Sequence, residues 1–308
     1  TGAGKSICYQ IPALIFSGVT IVISPLISLM KDQVDALNEV GIPATFINST
    51  LSNSEYSQTI ENIVHNVYKL IYVAPERLNS DTFINLLNNI DISMISIDEA
   101  HCVSQWGHDF RPSYREIANV ILNLKKRPVV SAFTATATQI VKDDIISLLH
   151  LSNPFTLTTG FDRENLNFSV ETLENKNNFI IDFLKNNSDT SGIIYCLTRK
   201  TVDSLFDNLS SLGYSVCKYH GGMSEKDRTQ SQNDFTYDRS LVMIATNAFG
   251  MGIDKSNIRY VIHYNMPKDL ESYYQEAGRA GRDGDNAKCI LLFSRADIVT
   301  NKFLIEQS

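Results

Sequence analysis

Short apolar runs of strand length alternate with longer amphipathic stretches along the whole chain, and no other property of the sequence narrows its fold so far. Runs at 20–23, 44–47, 70–73, 94–97 and 129–133 have the length and apolar content of buried strands. Stretches at 26–39, 54–64, 82–89, 114–123 and 140–149 carry helical spacing between them. Such alternation belongs to α/β folds, in which parallel strands are joined by crossover helices. Leu148-Leu149-His150-Leu151 followed by Ser152-Asn153-Pro154 reads as a helix end and a turn. The pattern then restarts, with strand-like runs at 193–195, 215–218, 241–245, 260–263 and 289–293 and helical stretches at 201–212, 224–235 and 270–278. The expectation is two tandem α/β units joined near 152–168, each a mainly parallel sheet flanked by helices. At 308 residues the chain is long enough for two domains of about 150. The expected boundaries are 1–155 for the first unit, 156–296 for the second and 297–308 for the start of a further module.

Composition enters mainly through what it excludes. Hydrophobic residues make up 43% of the chain and charged residues 20%, a balance that excludes general disorder. No apolar run approaches the ~18–20 residues of a membrane span, so no membrane partner is expected. Cys8, Cys102, Cys196, Cys217 and Cys289 are scattered without a CxxC pair. That excludes a recognisable zinc knuckle and suits reduced thiols in a cytoplasm. Lys and Arg number 27 against 34 Asp and Glu, a net charge of −7 that votes against nucleic acid unless basic side chains gather locally. Lys31, Arg77, Arg111, Arg199, Lys200 and Lys218 are the candidates.

The chain opens on Thr1-Gly2-Ala3-Gly4-Lys5-Ser6, the end of the phosphate-loop pattern G-x-x-x-x-G-K-[ST]. A strand has to feed such a loop, so at least one is expected ahead of Thr1. Amides of a glycine-rich loop at a helix start point at phosphate oxygens; Lys5 would reach the terminal phosphates and the Ser6 hydroxyl would ligate Mg²⁺. A glycine-rich turn that happens to precede Lys-Ser is the alternative. Asp98-Glu99-Ala100-His101 weighs against it, because the apolar run at 92–97 ends there in two adjacent carboxylates. Metal-assisted phosphoryl transfer needs such a pair at a strand's end, with Asp98 holding Mg²⁺ and Glu99 polarising the attacking water.

In the second unit, Gln275-Glu276-Ala277-Gly278-Arg279-Ala280-Gly281-Arg282-Asp283-Gly284 sets two arginines three residues apart between glycines. A guanidinium so placed can stabilise charge on a transferring phosphoryl group; a solvated basic turn is the plainer reading. The loop 245–254 leaves a strand through two glycines and ends at Asp254, which suits phosphate or cleft contacts, although a plain strand-to-helix loop has the same form. The stretch 101–112 contains the only tryptophan and interleaves aromatic with polar residues without helix or strand periodicity. Its aromatic faces could stack bases, or Trp106 could simply anchor the loop to the core.

These segments resemble the motifs of superfamily II nucleic-acid helicases and, among them, the RecQ-type DNA helicases, over essentially the whole chain. The general set is TGAGKS, SPLISLMKDQ, APERL, DEAH, FTATAT, the Asp254 loop and QEAGRAGRDG, in the family's order. HCVSQWGHDFRPSY, FDREN at 161–165, YHGGMS at 219–224 and SYYQEAGRAGRDG narrow it to the RecQ type. The resemblance implies two RecA-like domains with ATP in the cleft between them and single-stranded DNA across both. By position it implies nucleotide contacts from Thr1, Gly2, Ala3, Gly4, Lys5, Ser6 and Asp254. Lys5, Asp98, Glu99, Gln275, Arg279 and Arg282 would serve hydrolysis, with Arg282 as the finger, and Ser6 and Asp98 would hold Mg²⁺. His101, Trp106, His108, Phe110 and Arg111 would link DNA to hydrolysis, and Thr134 and Thr136 would couple the domains.

The implied activity is ATP-dependent 3′-to-5′ unwinding in recombination and repair by a monomeric core acting on single-stranded DNA and tailed duplexes. The family's upstream adenine-reading glutamine segment does not occur in these residues. Nor do its zinc-binding and winged-helix modules, so zinc would belong only to a downstream module. A translocase that hydrolyses ATP without separating strands and a non-enzymatic DNA-binding scaffold are the competing readings; intact Lys5, Asp98, Glu99 and Arg282 speak against the scaffold.

Overall fold

All ten apolar runs form strands, and among the described residues every strand pairing is parallel. The computed structural model describes residues 4–107, 109–158, 160, 162–173, 175–250 and 255–306. Its chain divides into two compact units, Ala3–Thr158 and Thr159–Ser308, a few residues beyond the expected 155/156 boundary.

In the first unit the strands are β1 (Val19–Ile23), β2 (Ala44–Ile47), β3 (Leu70–Val73), β4 (Ile92–Ile97) and β5 (Val129–Ala132), ordered β2-β3-β1-β4-β5. β1 and β3 are buried at every residue, as expected of central parallel strands covered on both faces. One face packs Ile21, Ile23, Ile95 and Ile97 under Phe83, Tyr114, Ile117 and Val141. The other packs Val22, Tyr72 and Met94 against Tyr9 and Met30. Tyr9 and Ala13 are the buried positions of the helix Lys5–Ile15, and they seat it on that second face. The expected single helix at 114–123 is instead a 3₁₀ turn, Pro112–Arg115, running into the helix Glu116–Asn123. Its Tyr114 hydroxyl donates to the Asp98 carbonyl at 2.9 Å, tying the turn to the end of β4.

In the second unit β6 (Leu166–Thr172), β7 (Ser191–Tyr195), β8 (Val216–Tyr219), β9 (Val242–Ala245), β10 (Ile258–His263) and β11 (Ala287–Phe293) form a sheet ordered β6-β11-β10-β7-β9-β8. Three elements were not expected. β6 begins inside the stretch read as a linker; as an edge strand it is mostly exposed and lacks an apolar run. The helix Lys176–Lys185 follows it.

The third is the helix Arg295–Glu306, which runs across the expected start of a separate module at 297. Asp297 and Asn301 are buried there. Lys176 donates to Asp297 at 2.7 Å, and Asn301 donates to the carbonyls of Met266 and Pro267, so this segment is fastened to the second unit. Among the described residues no helix is long and apolar enough to cross a membrane.

Candidate active site

Gly4 opens the helix Lys5–Ile15 in the left-handed conformation, φ 66° and ψ 24°, which glycine adopts without a Cβ penalty. The Ile7 amide closes the first turn on the Gly4 carbonyl at 3.0 Å. Lys5 and Ser6 are therefore the first two helical residues. Amides there have no acceptor within the helix, and the helix dipole favours an anion. No described side chain caps this end.

β4 delivers the two carboxylates. The Asp98 amide continues the sheet by donating to the Ile23 carbonyl at 2.8 Å, and Asp98 is only 6% exposed. Burial, reinforced by the neighbouring Glu99 charge, pushes its carboxyl up to about 6. Glu99 takes φ 45° and ψ 47°, a strained conformation for a residue with a side chain. Its Oε1 lies 3.5 Å from Lys5 Nζ and its Oε2 lies 3.3 Å from His101 Nδ1. Burial acts to raise the Glu99 carboxyl, but the His101 hydrogen bond and the Lys5 charge outweigh it and hold the group near 2. Glu99 is thus kept ionised by its own protein, whereas Asp98 carries a charge that burial disfavours. A divalent cation would relieve that, and the Ser6 hydroxyl and Asp98 carboxylate are the hard oxygen donors magnesium prefers.

His101 extends the site towards Thr134 and Thr136. The Thr134 hydroxyl donates to the Thr136 carbonyl at 3.0 Å, while His101 Nδ1 stands 2.9 Å from the same Thr134 oxygen. A hydroxyl has one proton and an ionised carboxylate none, so Nδ1 carries the imidazole proton and shares it between the Thr134 oxygen and Glu99 Oε2. The other ring nitrogen faces the buried Cys102 sulfur at 3.8 Å, and burial pushes that thiol up, which leaves it inert.

The loop after His101 is pinned at its base and open at its tip. Ser104 is fully buried, donates to Asp144 at 2.6 Å and accepts from the Trp106 amide at 3.1 Å. Trp106 itself is 76% exposed, which removes the core-anchor reading and leaves its face free to stack. Arg111 grips Asp109 through Nε and Nη2 at 3.1 and 2.9 Å and donates to the Pro25 carbonyl at 3.0 Å. The Phe110 ring sits 5.2 Å below the Arg115 guanidinium. Of the six basic candidates, Lys31, Arg199 and Lys200 are exposed. Arg77 donates to the Asn48 carbonyl at 2.7 Å and Lys218 pairs with Asp203 at 2.6 Å.

The second unit holds the arginine segment at the end of the helix Leu270–Ala277, where Gln275 is half-buried. Arg279 is 4% exposed and donates to the Gly250 carbonyl. Arg282 is half-buried. On the same helix, Glu276 Oε2 lies 2.9 Å from His263 Nε2. Two residues the sequence reading gave no role brace the same segment. Arg163 donates to the Gly278 and Ala280 carbonyls at 2.8 and 3.0 Å and also to that of Gly281. Asn165 donates to the Gly281 and Asp285 carbonyls, both at 2.8 Å. The FDREN motif was the only sequence signal that could have drawn attention to them. Thr1, Gly2, Ala3, His108 and Asp254 lie outside the described residues.

Comparison with known proteins finds helicases over the whole chain. The DEAD/DEAH box helicase family model matches residues 1–144 and the helicase conserved C-terminal domain model matches 175–284. An ATP-dependent DNA helicase RecQ of Bacillus subtilis is 56% identical over all 308 residues, which cover 52% of that protein. One from Haemophilus influenzae is 44% identical, again over the whole chain and 50% of its own length. The chain thus spans about half the length of these curated relatives. A solved structure of the Mycobacterium smegmatis helicase Lhr bound to ssDNA and AMP-PNP superposes with a TM-score of 0.76 over 99% of this chain and 44% of its own, at 18% identity. That likeness is one of fold: two tandem RecA-like domains.

Proposed function

The chain belongs to the RecQ family of superfamily II helicases, and on that premise we propose that it is the ATP-hydrolysing motor of a DNA helicase, moving along single-stranded DNA 3′ to 5′ and separating duplexes during recombination and repair. One observation carries the reading: Lys5, Glu99, His101 and Thr134 form a continuous polar chain from the helix start to the loop after β5. In that chain Lys5 and the amides at the helix start bind the terminal phosphates of ATP. Glu99, held ionised, accepts a proton from the attacking water and orients it. Ser6 and Asp98 hold Mg²⁺, which when bound neutralises charge on the phosphate oxygens. Arg279 and Arg282 supply the positive charge that the phosphoryl group needs as it transfers.

Trp106 and Phe110 offer faces to DNA bases, and the loop carrying them begins at His101, so strand contact and water activation share one short segment. Separating a base-pair step takes ~1.4 kcal/mol of stacking on average, so unwinding has to draw on hydrolysis rather than on DNA affinity alone.

The test is Glu99→Gln in the full-length protein. DNA-stimulated ATP turnover should fall by roughly 10³-fold or more while binding of a fluorescent ATP analogue persists, because the substitution keeps shape and removes the base. Turnover at the wild-type rate would remove the hydrolytic assignment. A strand-displacement assay on the wild type that showed ATP loss without displaced strand would restrict the activity to translocation.

A further inference from the structure

We propose that Arg163 and Asn165 are positioning residues for ATP hydrolysis: together they clamp the loop 278–285 so that Arg282 is presented to the phosphoryl group. The inference rests on the reading of Arg282 given above.

The loop leaves the C-terminal end of the helix Leu270–Ala277, where carbonyl groups have no partner within the helix and carry its negative dipole end. The Arg163 guanidinium sits on that end and is spread over three carbonyls, of Gly278, Ala280 and Gly281. A planar fork with five donors can do this; a lysine ammonium, a point charge, cannot match the same three directions. Asn165 closes the far side of the loop by bridging the Gly281 and Asp285 carbonyls with one amide nitrogen.

The fit is tight. A Cβ on Gly281, whose φ is 55°, would come within 2.5 Å of that nitrogen and 2.6 Å of the Asp285 carbonyl oxygen. The Gly281 amide is anchored separately, donating to the Ile258 carbonyl at 2.9 Å. Arg279 and Arg282 therefore project from a backbone whose carbonyls at 278, 280, 281 and 285 are all held by two side chains from the opening of β6. Both side chains reach across more than a hundred residues of sequence to this loop.

The experiment compares Arg163→Gln, Arg163→Lys, Asn165→Asp, Arg282→Ala and Ile180→Val in the full-length protein. ATP turnover is measured at saturating single-stranded DNA, with the thermal midpoint of each variant. Ile180 is a fully buried core residue of the second unit away from the loop, and its trimming supplies a destabilised control. Arg163→Gln should lower kcat roughly tenfold or more with KM for ATP nearly unchanged, since Lys5 and the helix-start amides assigned to the phosphates lie in the first unit. Asn165→Asp, of the same shape, sets an oxygen against two carbonyl oxygens and should act in the same direction. Arg163→Lys should recover part of the loss. Ile180→Val should lower the midpoint and leave kcat intact.

Wild-type kcat in Arg163→Gln and Asn165→Asp alongside a deficient Arg282→Ala would overturn the clamp and leave the finger standing. Wild-type turnover in Arg282→Ala would overturn the finger and the clamp together. A loss of kcat that merely follows the thermal midpoint, Ile180→Val included, would reduce the pair to a structural role and also overturn the proposal.

Discussion

Thr134 has a single proton and spends it on the Thr136 carbonyl, so its oxygen can only accept from His101. This fixes the tautomer of a histidine whose Nδ1 also faces the ionised Glu99 oxygen at 3.3 Å. A threonine in a loop after one strand thereby governs the partner of the base at the end of another. Thr134→Val keeps the shape and deletes the acceptor. Losing one hydrogen bond in a charge-linked chain amounts to about 1.5 kcal/mol, which is roughly a tenfold change in rate. Stimulation of ATP turnover by single-stranded DNA should fall by that factor while KM for ATP holds, measured by turnover with and without DNA. Equal stimulation in the variant and the wild type would mean that His101 is set by Glu99 alone. DEAH and FTATAT announce both residues in the sequence, but the direction of the proton between them is visible only once the two loops meet.

At the level of elements, the loop after β9 and the arginine segment are fitted to each other through one glycine. Gly250 has φ 127°, its carbonyl accepts from Arg279, and a Cβ there would lie 2.4 Å from the Arg279 Cζ. Gly284 also has a positive φ, 90°, but a Cβ there would meet nothing within 4 Å. Alanine at Gly284 therefore reports backbone strain alone, about 1–3 kcal/mol, and alanine at Gly250 adds displacement of a buried guanidinium. Urea denaturation should show Gly250→Ala as the more destabilised of the two, and ATP turnover should fall only in Gly250→Ala. Equal losses would mean that Arg279 can move aside freely.

The same contrast between buried and exposed elements explains what could be read in advance. β1, β3 and β7 are buried throughout and stand out as apolar runs. β6, with Asn167, Phe168 and Val170 exposed at the sheet edge, carries no such run and begins inside the stretch that reads as linker. The phosphate-binding and carboxylate residues are contiguous and legible. The Arg163–Asn165 clamp was not, because its partners are backbone carbonyls, which leave no mark on the residue types that bear them.

Across the molecule, the residues assigned to hydrolysis are divided between two units that each build a parallel sheet and core of their own. Stability can therefore be altered in one unit without touching the carboxylates of the other. The Lys176–Asp297 pair offers a direct way to do so. Asp297 is 3% exposed and ties the helix Arg295–Glu306 to the second sheet, accepting from Lys176 at 2.7 Å, Asn265 at 2.9 Å and the Ser294 amide at 2.9 Å. Burial acts to raise its carboxyl, but the hydrogen bonds from Asn265, Lys176 and Ser294 prevail and hold it below the ordinary 3.8. A carboxyl whose folded value is depressed contributes stability above its unfolded value and loses it as pH falls through the folded one.

Asp297→Asn leaves Lys176 buried without its counter-charge, so the variant should be roughly 3 kcal/mol less stable at pH 7. That gap should stay constant down to about pH 5 and narrow as the pH falls through the aspartate range, because the wild type then loses what its depressed carboxyl contributes. Urea titrations of both proteins across this range, followed by tyrosine fluorescence, measure it. A gap that persisted unchanged into the acid range would assign the loss to packing of the helix rather than to the charge. Nucleotide binding at Lys5 should be the same in both proteins at pH 7, since the pair lies in the other unit.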